Sequence, residues 1–415
     1  MTKIKENNWF LAYVYFYLFV TPWHFSKSQL SILSAILLLW SIIKFKKDFL
    51  YRLKEFLFFT PTILLFLFIL YSYISVLWSE PIKDGLEHVN NFYKYYLLLI
   101  PAILVSLNKE SALTGIKILI FSFGLYSLYS ILIYFGFFNS DVYGFQSNNP
   151  TGHLRYLVST QYMVIAFFCG AIFFYYLKST KIKILFLLVS LLSFFALFVN
   201  NSRTSQLAFF LIFLIFAAIF MKKYIFNLKA IAIFLVIVIS SIYFLYENNK
   251  LQRYKTAYNE IKNVFISDTY IGSLGVRLYF NKTGFEIFKQ NFIFGTGPLD
   301  NRKLLENKQK NDPKYLGDNG KKRIINHFHS EHIDTLTAYG IVGYILIFSS
   351  IVILIYKLRT QSLYFYSSLV VFLSLFFNSF ANKTLSIKPL NYVYIIFFIL
   401  FAIIALKNKK EEGAI

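Results

Sequence analysis

Long apolar runs separated by short polar segments are the feature that most constrains the fold of this chain. Each run is roughly 17 to 25 residues long, which is the length that an α-helix needs to cross a bilayer. Of the 415 residues, 57% are hydrophobic and 15% are charged, whereas about a quarter of the residues of a soluble domain are charged. The roughly ten-residue alternating segments of a transmembrane β-barrel are absent. The sequence therefore predicts an all-α polytopic membrane protein.

We predict about twelve transmembrane helices in this chain. They cover residues 9–23, 29–43, 57–78, 92–107, 113–138, 157–177, 184–200, 206–221, 230–246, 332–355, 362–379 and 390–406. A long polar segment interrupts the series before the tenth span. We therefore predict three parts, which are an N-terminal bundle at 1–246, one large, partly helical loop at 247–331, and three further spans with a tail at 332–415.

The distribution of basic residues predicts the orientation. With the first residue inside, the cytoplasmic segments hold about nineteen Lys and Arg residues, and the short outer loops hold about seven. This asymmetry places both termini in the cytoplasm and the large loop on the outer side of the membrane. The loop itself carries about fifteen basic and about eight acidic residues, so it suits either lipid phosphates or an anionic substrate.

Several classes of partner and cofactor are not expected. No soluble domain carries a basic patch with interleaved aromatic residues, so nucleic acid is not an expected partner. A nucleotide-binding loop or dinucleotide fingerprint is also absent from the sequence. The single cysteine, Cys169, falls in the middle of a predicted span, where we expect a small core residue.

The segment from Asn326 to Gly343 is the main candidate for a functional site. It contains three histidines, His327, His329 and His332, together with Ser330 and Glu331, where the polar loop meets the tenth span. Ionisable groups at a membrane boundary are energetically unfavourable, so they indicate chemistry. A position just ahead of a helix N-terminus favours a neutral imidazole at His329, and a neutral imidazole can accept a proton.

Two glycines follow the histidines. Gly340 and Gly343 lie about one turn apart in the predicted helix. Small residues at this spacing let another helix approach closely. We therefore predict that both have a helix-packing role.

Three arginines are predicted on the same side of the membrane. Arg203 lies where an apolar run begins, Arg277 lies in the large loop, and Arg155 precedes the sixth span. The planar guanidinium group donates paired hydrogen bonds to phosphate oxygens, which suits pyrophosphate recognition by Arg203 and Arg277. Each arginine taken alone also fits an interfacial residue with its charge in the headgroups. Arg155 is a possible contributor to the donor path.

A zinc site is the alternative for the histidine segment, because His-x-His beside a glutamate supplies metal ligands. Such sites need three or four ligands held by further contacts. His329 and His332 share a helix face only if the helix begins before His332. We therefore expect no metal and no other cofactor.

These residues resemble the signature of a known family. One pattern closes the long outer loop and is similar to that of bacterial O-antigen ligases and their relatives. It consists of His329 and Ser330, nine further residues, Gly340, two further residues and Gly343. Arg203 with Leu207 resembles the family's first functional arginine, and Arg277 with the following Phe-Gly-Thr-Gly resembles its second. The turn Trp78–Pro81 is also similar to family members.

The resemblance implies metal-independent, inverting transfer of a polysaccharide from undecaprenyl pyrophosphate to a sugar hydroxyl of lipid A-core at the periplasmic face. His329 would act as the general base, and Arg203 and Arg277 would hold the pyrophosphate. Ser330, Glu331, His327 and His332 would support them.

Other activities stay open at this point. An O-antigen polymerase would use a second lipid-linked glycan as its acceptor, and a protein O-oligosaccharyltransferase would use a polypeptide. The presence of one large loop instead of two favours the ligase. A polysaccharide or lipid transporter is a more distant alternative, since the spans lack charged residues at their centres and the chain has no internal repeat.

Overall fold

The computed structural model describes residues 8–25, 28–138, 149–221, 243, 251–317 and 323–412, and α-helices dominate this part of the chain. The helices of the first half are α1 (Asn8–Val20), α2 (Gln29–Phe45), α3 (Lys47–Leu57), α4 (Thr60–Ile74), α5 (Ile82–Ser106), α6 (Lys109–Tyr134), α7 (Tyr156–Tyr176), α8 (Thr180–Val199) and α9 (Arg203–Met221). Those of the second half are α10 (Leu251–Ser267), α11 (Gly272–Gln290), α12 (Asp300–Asn311), α13 (Glu331–Lys357), α14 (Ser362–Ser379) and α15 (Lys388–Glu412). Two short strands, β1 (Tyr270–Ile271) and β2 (Tyr315–Gly317), lie among them.

Eight helices in the described ranges are long and apolar enough to cross a membrane. They are α4 with the 3-10 turn that follows it, α6, α7, α8, α9, α13, α14 and α15. The bent pair α2 and α3 would make a ninth. The chain is therefore an all-α polytopic membrane protein, and the count of twelve spans stays a prediction. The predicted span 230–246 lies, apart from residue 243, outside the described residues.

The sequence explains where individual helices begin and bend. Asn108 caps α6, because its side chain accepts the amide of Ser111 at 2.9 Å while the Ser111 hydroxyl accepts the amide of Asn108 at 2.8 Å. Pro61 occupies the first turn of α4, where its missing N–H is not needed. At Lys46 the backbone has φ of 45°, and the chain turns by 112° between α2 and α3.

The transmembrane core is centred on α15. Of the eight candidate spans, α15 has the largest buried share, 89% of its apolar stretch. It packs against α5, α6, α13 and α14. This burial explains why the helix is apolar on every face, from Leu390 to Ala405.

The described part of the large loop forms a small cap with its own apolar core. Strand β1 pairs in parallel with β2, with Tyr270 opposite Tyr315. Helix α11 packs Tyr279 and Phe280 against this pair and against Phe328, just before α13. The cap therefore joins the arginine-bearing helix α11 to the histidine segment through buried aromatic contacts.

Candidate functional site

His329 lies at the junction of the cap and the transmembrane helices. Its ring is nearly parallel to that of Phe280, with 5.9 Å between centroids and 7° between planes. The ring of His327 stands perpendicular to it at 4.0 Å. The backbone of His329 has φ of 53°, a left-handed conformation that costs a residue other than glycine about 1–3 kcal/mol. The surrounding contacts thus hold the imidazole in a defined and strained position.

Arg277 is carried to the same place by α11. It precedes Phe280 by three residues, so both side chains lie on neighbouring parts of one helix face. Its Nη1 donates a hydrogen bond to Ser273 Oγ at 2.9 Å. Its positive charge acts on the His329 imidazole. The structure therefore brings together these two residues, which are 52 positions apart in the sequence.

The imidazole of His329 is neutral at physiological pH. Burial lowers its pKa to about 3, and the nearby His327, Arg277 and Lys383 contribute in the same direction because they disfavour a further positive charge. Burial, followed by Lys383, also lowers the pKa of His327. Both rings can accept protons, as predicted for His329, but the main cause is burial and not the helix dipole.

Arg203 begins α9 and is connected to the histidine segment through α14. Two residues after it, Ser205 Oγ donates to Asn378 Oδ1 at 3.0 Å. Asn378 adjoins Ser379, whose carbonyl accepts a hydrogen bond from Ser330 Oγ at 3.1 Å. The start of α9, the end of α14 and the start of α13 therefore meet at one end of the bundle. Arg203 is half-buried there.

Ser330 and Glu331 hold the start of α13 against the turn that follows α14. Ser330 is the N-cap of the helix, and its side chain accepts the amide of Ile333 at 3.3 Å. Glu331 Oε2 accepts the amides of Leu385 at 3.0 Å and Ser386 at 3.3 Å. Both residues therefore support the backbone beside His329.

His332 and Arg155 occupy different surroundings from His329. His332 is buried, its Nε2 lies 2.9 Å from the carbonyl oxygen of Phe376, and its Nδ1 lies 3.1 Å from the hydroxyl oxygen of Tyr344. Both of its nitrogens are thus engaged away from the other histidines. Arg155 is exposed at the start of α7. Among the described residues, no group of three or more His, Cys, Asp or Glu side chains is placed to hold a metal ion.

The two glycines of the motif serve different contacts, and Gly340 requires a correction. We predicted that it lets a helix approach, but the turn at residues 292–297 approaches it instead. Gly340 has φ of 63° and breaks α13, and an added Cβ would lie 2.2 Å from the Ile293 carbonyl oxygen. The freed carbonyl groups of Thr337 and Ala338 accept the amides of Thr296 and Gly297.

Gly343 does face a neighbouring helix. A Cβ there would lie 3.3 Å from the ring of Tyr71 on α4. The Tyr71 hydroxyl donates to the Phe294 carbonyl at 2.9 Å and lies 3.2 Å from the Tyr339 carbonyl oxygen. Helix α4, the 292–297 turn and the break in α13 therefore form one packed unit below the histidines.

A buried ion cluster lies next to the site, and the sequence did not reveal it. Asp334 Oδ2 lies 3.0 Å from Lys383 Nζ and 4.0 Å from Arg302 Nη2. Arg302 in turn lies 3.3 Å from His88 Nε2. Burial, followed by the charge of Arg302, lowers the pKa of His88 to about 3. In the sequence, Asp334 and Lys383 lie close to predicted span ends, but Arg302 lies within the large loop, and the three positions are far apart.

A small cavity adjoins this cluster. Its lining includes His88, Arg302, Glu331 and Asp334, and it has room for little more than a water molecule. A glycan does not fit into it. The cavity is therefore a closed pocket among these charged side chains.

Comparison with known proteins agrees with the resemblance found in the sequence. Residues 188–348 match the O-antigen ligase family, Wzy_C, and a search of curated proteins finds no match to the chain. The matched segment runs from α8 into α13 and contains Arg203, Arg277 and His329 together. The match supports the predicted resemblance to the O-antigen ligase family over residues 188–348.

Proposed function

We propose that this protein is an O-antigen ligase of the bacterial inner membrane. It transfers a polysaccharide from undecaprenyl pyrophosphate to a sugar hydroxyl of lipid A-core at the periplasmic face. The family match supports a membrane glycosyltransferase of this superfamily. The choice of donor and acceptor rests on the resemblance of the His329, Arg203 and Arg277 motifs to those of the ligases.

The observation that carries the proposal is the placement of His329 beside Arg277. A neutral imidazole and a guanidinium group share one junction, fixed by the Phe280 ring on one side and the strained backbone on the other. A general base next to a phosphate-binding cation is what transfer from a glycosyl diphosphate requires.

The reaction proceeds by direct displacement. The acceptor hydroxyl attacks the anomeric carbon, His329 takes its proton, and the bond from that carbon to the diphosphate oxygen breaks. The departing diphosphate keeps the bonding electron pair and gains one negative charge, which Arg203 and Arg277 stabilise. Because attack and departure occur on opposite faces of the carbon, the anomeric configuration inverts. In this reaction the protein supplies the base, His329, and the two cations, Arg203 and Arg277.

The membrane arrangement in the proposal is the one predicted from charge. About twelve spans place both termini in the cytoplasm and residues 247–331 in the periplasm. The contacts from α9 to α14 and from α14 to α13 support one common location for the three functional residues. An outer location lets a lipid-linked donor and lipid A-core meet in the same leaflet.

A deletion strain distinguishes the ligase from its relatives. Lipopolysaccharide gels of the strain should show bare lipid A-core, and lipid extracts should contain accumulated polymer on undecaprenyl pyrophosphate. Single repeats on the core would instead identify a polymerase. Normal lipopolysaccharide with loss of protein glycosylation would identify a protein O-oligosaccharyltransferase. Complementation with the wild-type gene is the control.

A further inference from the structure

The turn between α14 and α15, residues 379–386, brings one more cation to the histidine segment. Ser330 and Glu331 bind this turn through their side chains, and the Glu331 amide also donates to the Asn382 carbonyl at 3.0 Å. Lys383 lies within the turn. Its position relative to the start of α13 is therefore fixed by hydrogen bonds on both sides of it.

Lys383 pairs with Asp334 near the start of α13. Its Nζ lies 3.0 Å from Asp334 Oδ2, and the two side chains are 12% and 11% exposed. Its positive charge acts on both His327 and His329. A lysine in this place has a mobile ammonium group that can reach more than one anion.

Arg302 provides an internal comparison. It binds the same carboxylate at the longer distance of 4.0 Å and approaches His88, on α5, at 3.3 Å. The charge of Arg302 acts on His88 and, less than that of Lys383, on His327, and it does not contribute at His329. Of the two cations on Asp334, Lys383 therefore has the larger effect on His327 and His329, and Arg302 has the larger effect on His88.

We propose that Lys383 is a third diphosphate-binding cation, which Asp334 holds beside His329 until the donor arrives. This inference rests on the proposed function. When the donor binds, Nζ exchanges the carboxylate for a diphosphate oxygen, while Arg302 stays with Asp334. The exchange places a mobile positive charge where the departing diphosphate gains its additional negative charge.

The test is the affinity of the purified full-length protein for inorganic pyrophosphate, measured by calorimetry. Lys383→Gln should weaken binding at least about tenfold, because a charge-assisted hydrogen bond is lost. Lys383→Arg should retain binding, because the charge remains. Lys303→Gln is the control, since it removes a lysine that pairs with Asp300 outside this cluster and should leave the affinity unchanged.

Asp334→Asn separates substrate binding from support of the fold. If Lys383 binds pyrophosphate, Asp334→Asn frees the lysine, and the affinity should stay the same or rise. Equal losses of affinity in Asp334→Asn and Lys383→Gln would overturn the proposal, because the pair would then act only by holding the turn. Thermal denaturation identifies any variant that does not fold. If Lys383→Gln does not fold, the pyrophosphate affinity of Asp334→Asn alone decides whether Lys383 binds pyrophosphate: an unchanged or higher affinity supports this role, and a loss overturns it.

The outcomes also separate this inference from the proposed function. Unchanged affinity in Lys383→Gln, with weakened affinity in Arg277→Gln, would overturn the role of Lys383 alone. Absence of pyrophosphate binding by the wild-type protein would overturn the diphosphate donor itself, and the role of Lys383 with it.

Discussion

At the scale of single residues, the protonation state of His329 has a direct kinetic consequence. Burial and the surrounding positive charges lower its pKa to about 3, so it loses its proton far below the ordinary value of about 6.5. The ratio kcat/KM reports the base of the free enzyme. It should therefore stay flat from about pH 5 to pH 8, as measured with purified protein and synthetic donor. A fall in kcat/KM at acidic pH, centred near the ordinary histidine pKa of about 6.5, would contradict this lowered pKa of His329.

Arg277 allows a test of geometry separate from charge. Arg277→Lys keeps the positive charge but loses the planar pair of donors, so we expect donor KM to rise about tenfold. Arg277→Gln, which loses the charge as well, should have a larger effect. Steady-state transfer assays measure both variants. Equal KM values for the wild-type protein and Arg277→Lys would show that the guanidinium does not bind the diphosphate through paired hydrogen bonds.

At the scale of structural elements, the break in α13 at Gly340 holds the 292–297 turn in place. Gly340→Ala combines a positive φ with a Cβ that would lie only 2.2 Å from the Ile293 carbonyl oxygen, and we expect destabilisation of at least about 3 kcal/mol. Gly136→Ala is the control, because Gly136 has φ of 81° with nothing near its added Cβ. It should be destabilised by only about 1–2 kcal/mol.

Thermal denaturation in detergent compares the two glycine variants. The midpoint should fall clearly further for Gly340→Ala than for Gly136→Ala. Equal midpoints would mean that the turn moves away from α13 without energetic consequence, and the packed unit below the histidines would then not be rigid.

Some helix boundaries could be predicted from the sequence, and others could not. The apolar runs predicted 362–379 and 157–177 closely, because hydrophobicity of this length requires a membrane helix. The break at Gly340 was missed, since two glycines at one-turn spacing look alike whether a helix or a turn approaches them. Helix α5 begins ten residues before its predicted start at residue 92, because its polar first half carries no apolar signal.

At the scale of the whole molecule, the site depends on contacts between distant segments. The motifs of His329, Arg203 and Arg277 could be found in the sequence, because His329 and Arg203 lie where apolar runs begin and Arg277 is followed by Phe-Gly-Thr-Gly. The cluster of Asp334 and Lys383 could not be found, because an ion pair between a helix and a distant turn leaves no local spacing in the sequence.

Orientation in the membrane is a separate property of the whole molecule. A Cys169→Ala background permits single-cysteine reporters, because Cys169 is the only cysteine in the chain. Lys303→Cys, in the large loop, should react with a membrane-impermeant maleimide in intact spheroplasts. Arg359→Cys, between α13 and α14, should react only after lysis. The reverse pattern would place the histidine segment on the cytoplasmic side.

Glycan transfer by His329→Gln protein tests the central claim most directly. The assay contains purified protein in liposomes, a synthetic undecaprenyl pyrophosphate glycan and lipid A-core, and donor binding is measured in parallel. Loss of the general base should lower the transfer rate about a hundredfold or more while donor binding stays within about twofold of wild type. Transfer at the wild-type rate would contradict the assignment of His329 as the base.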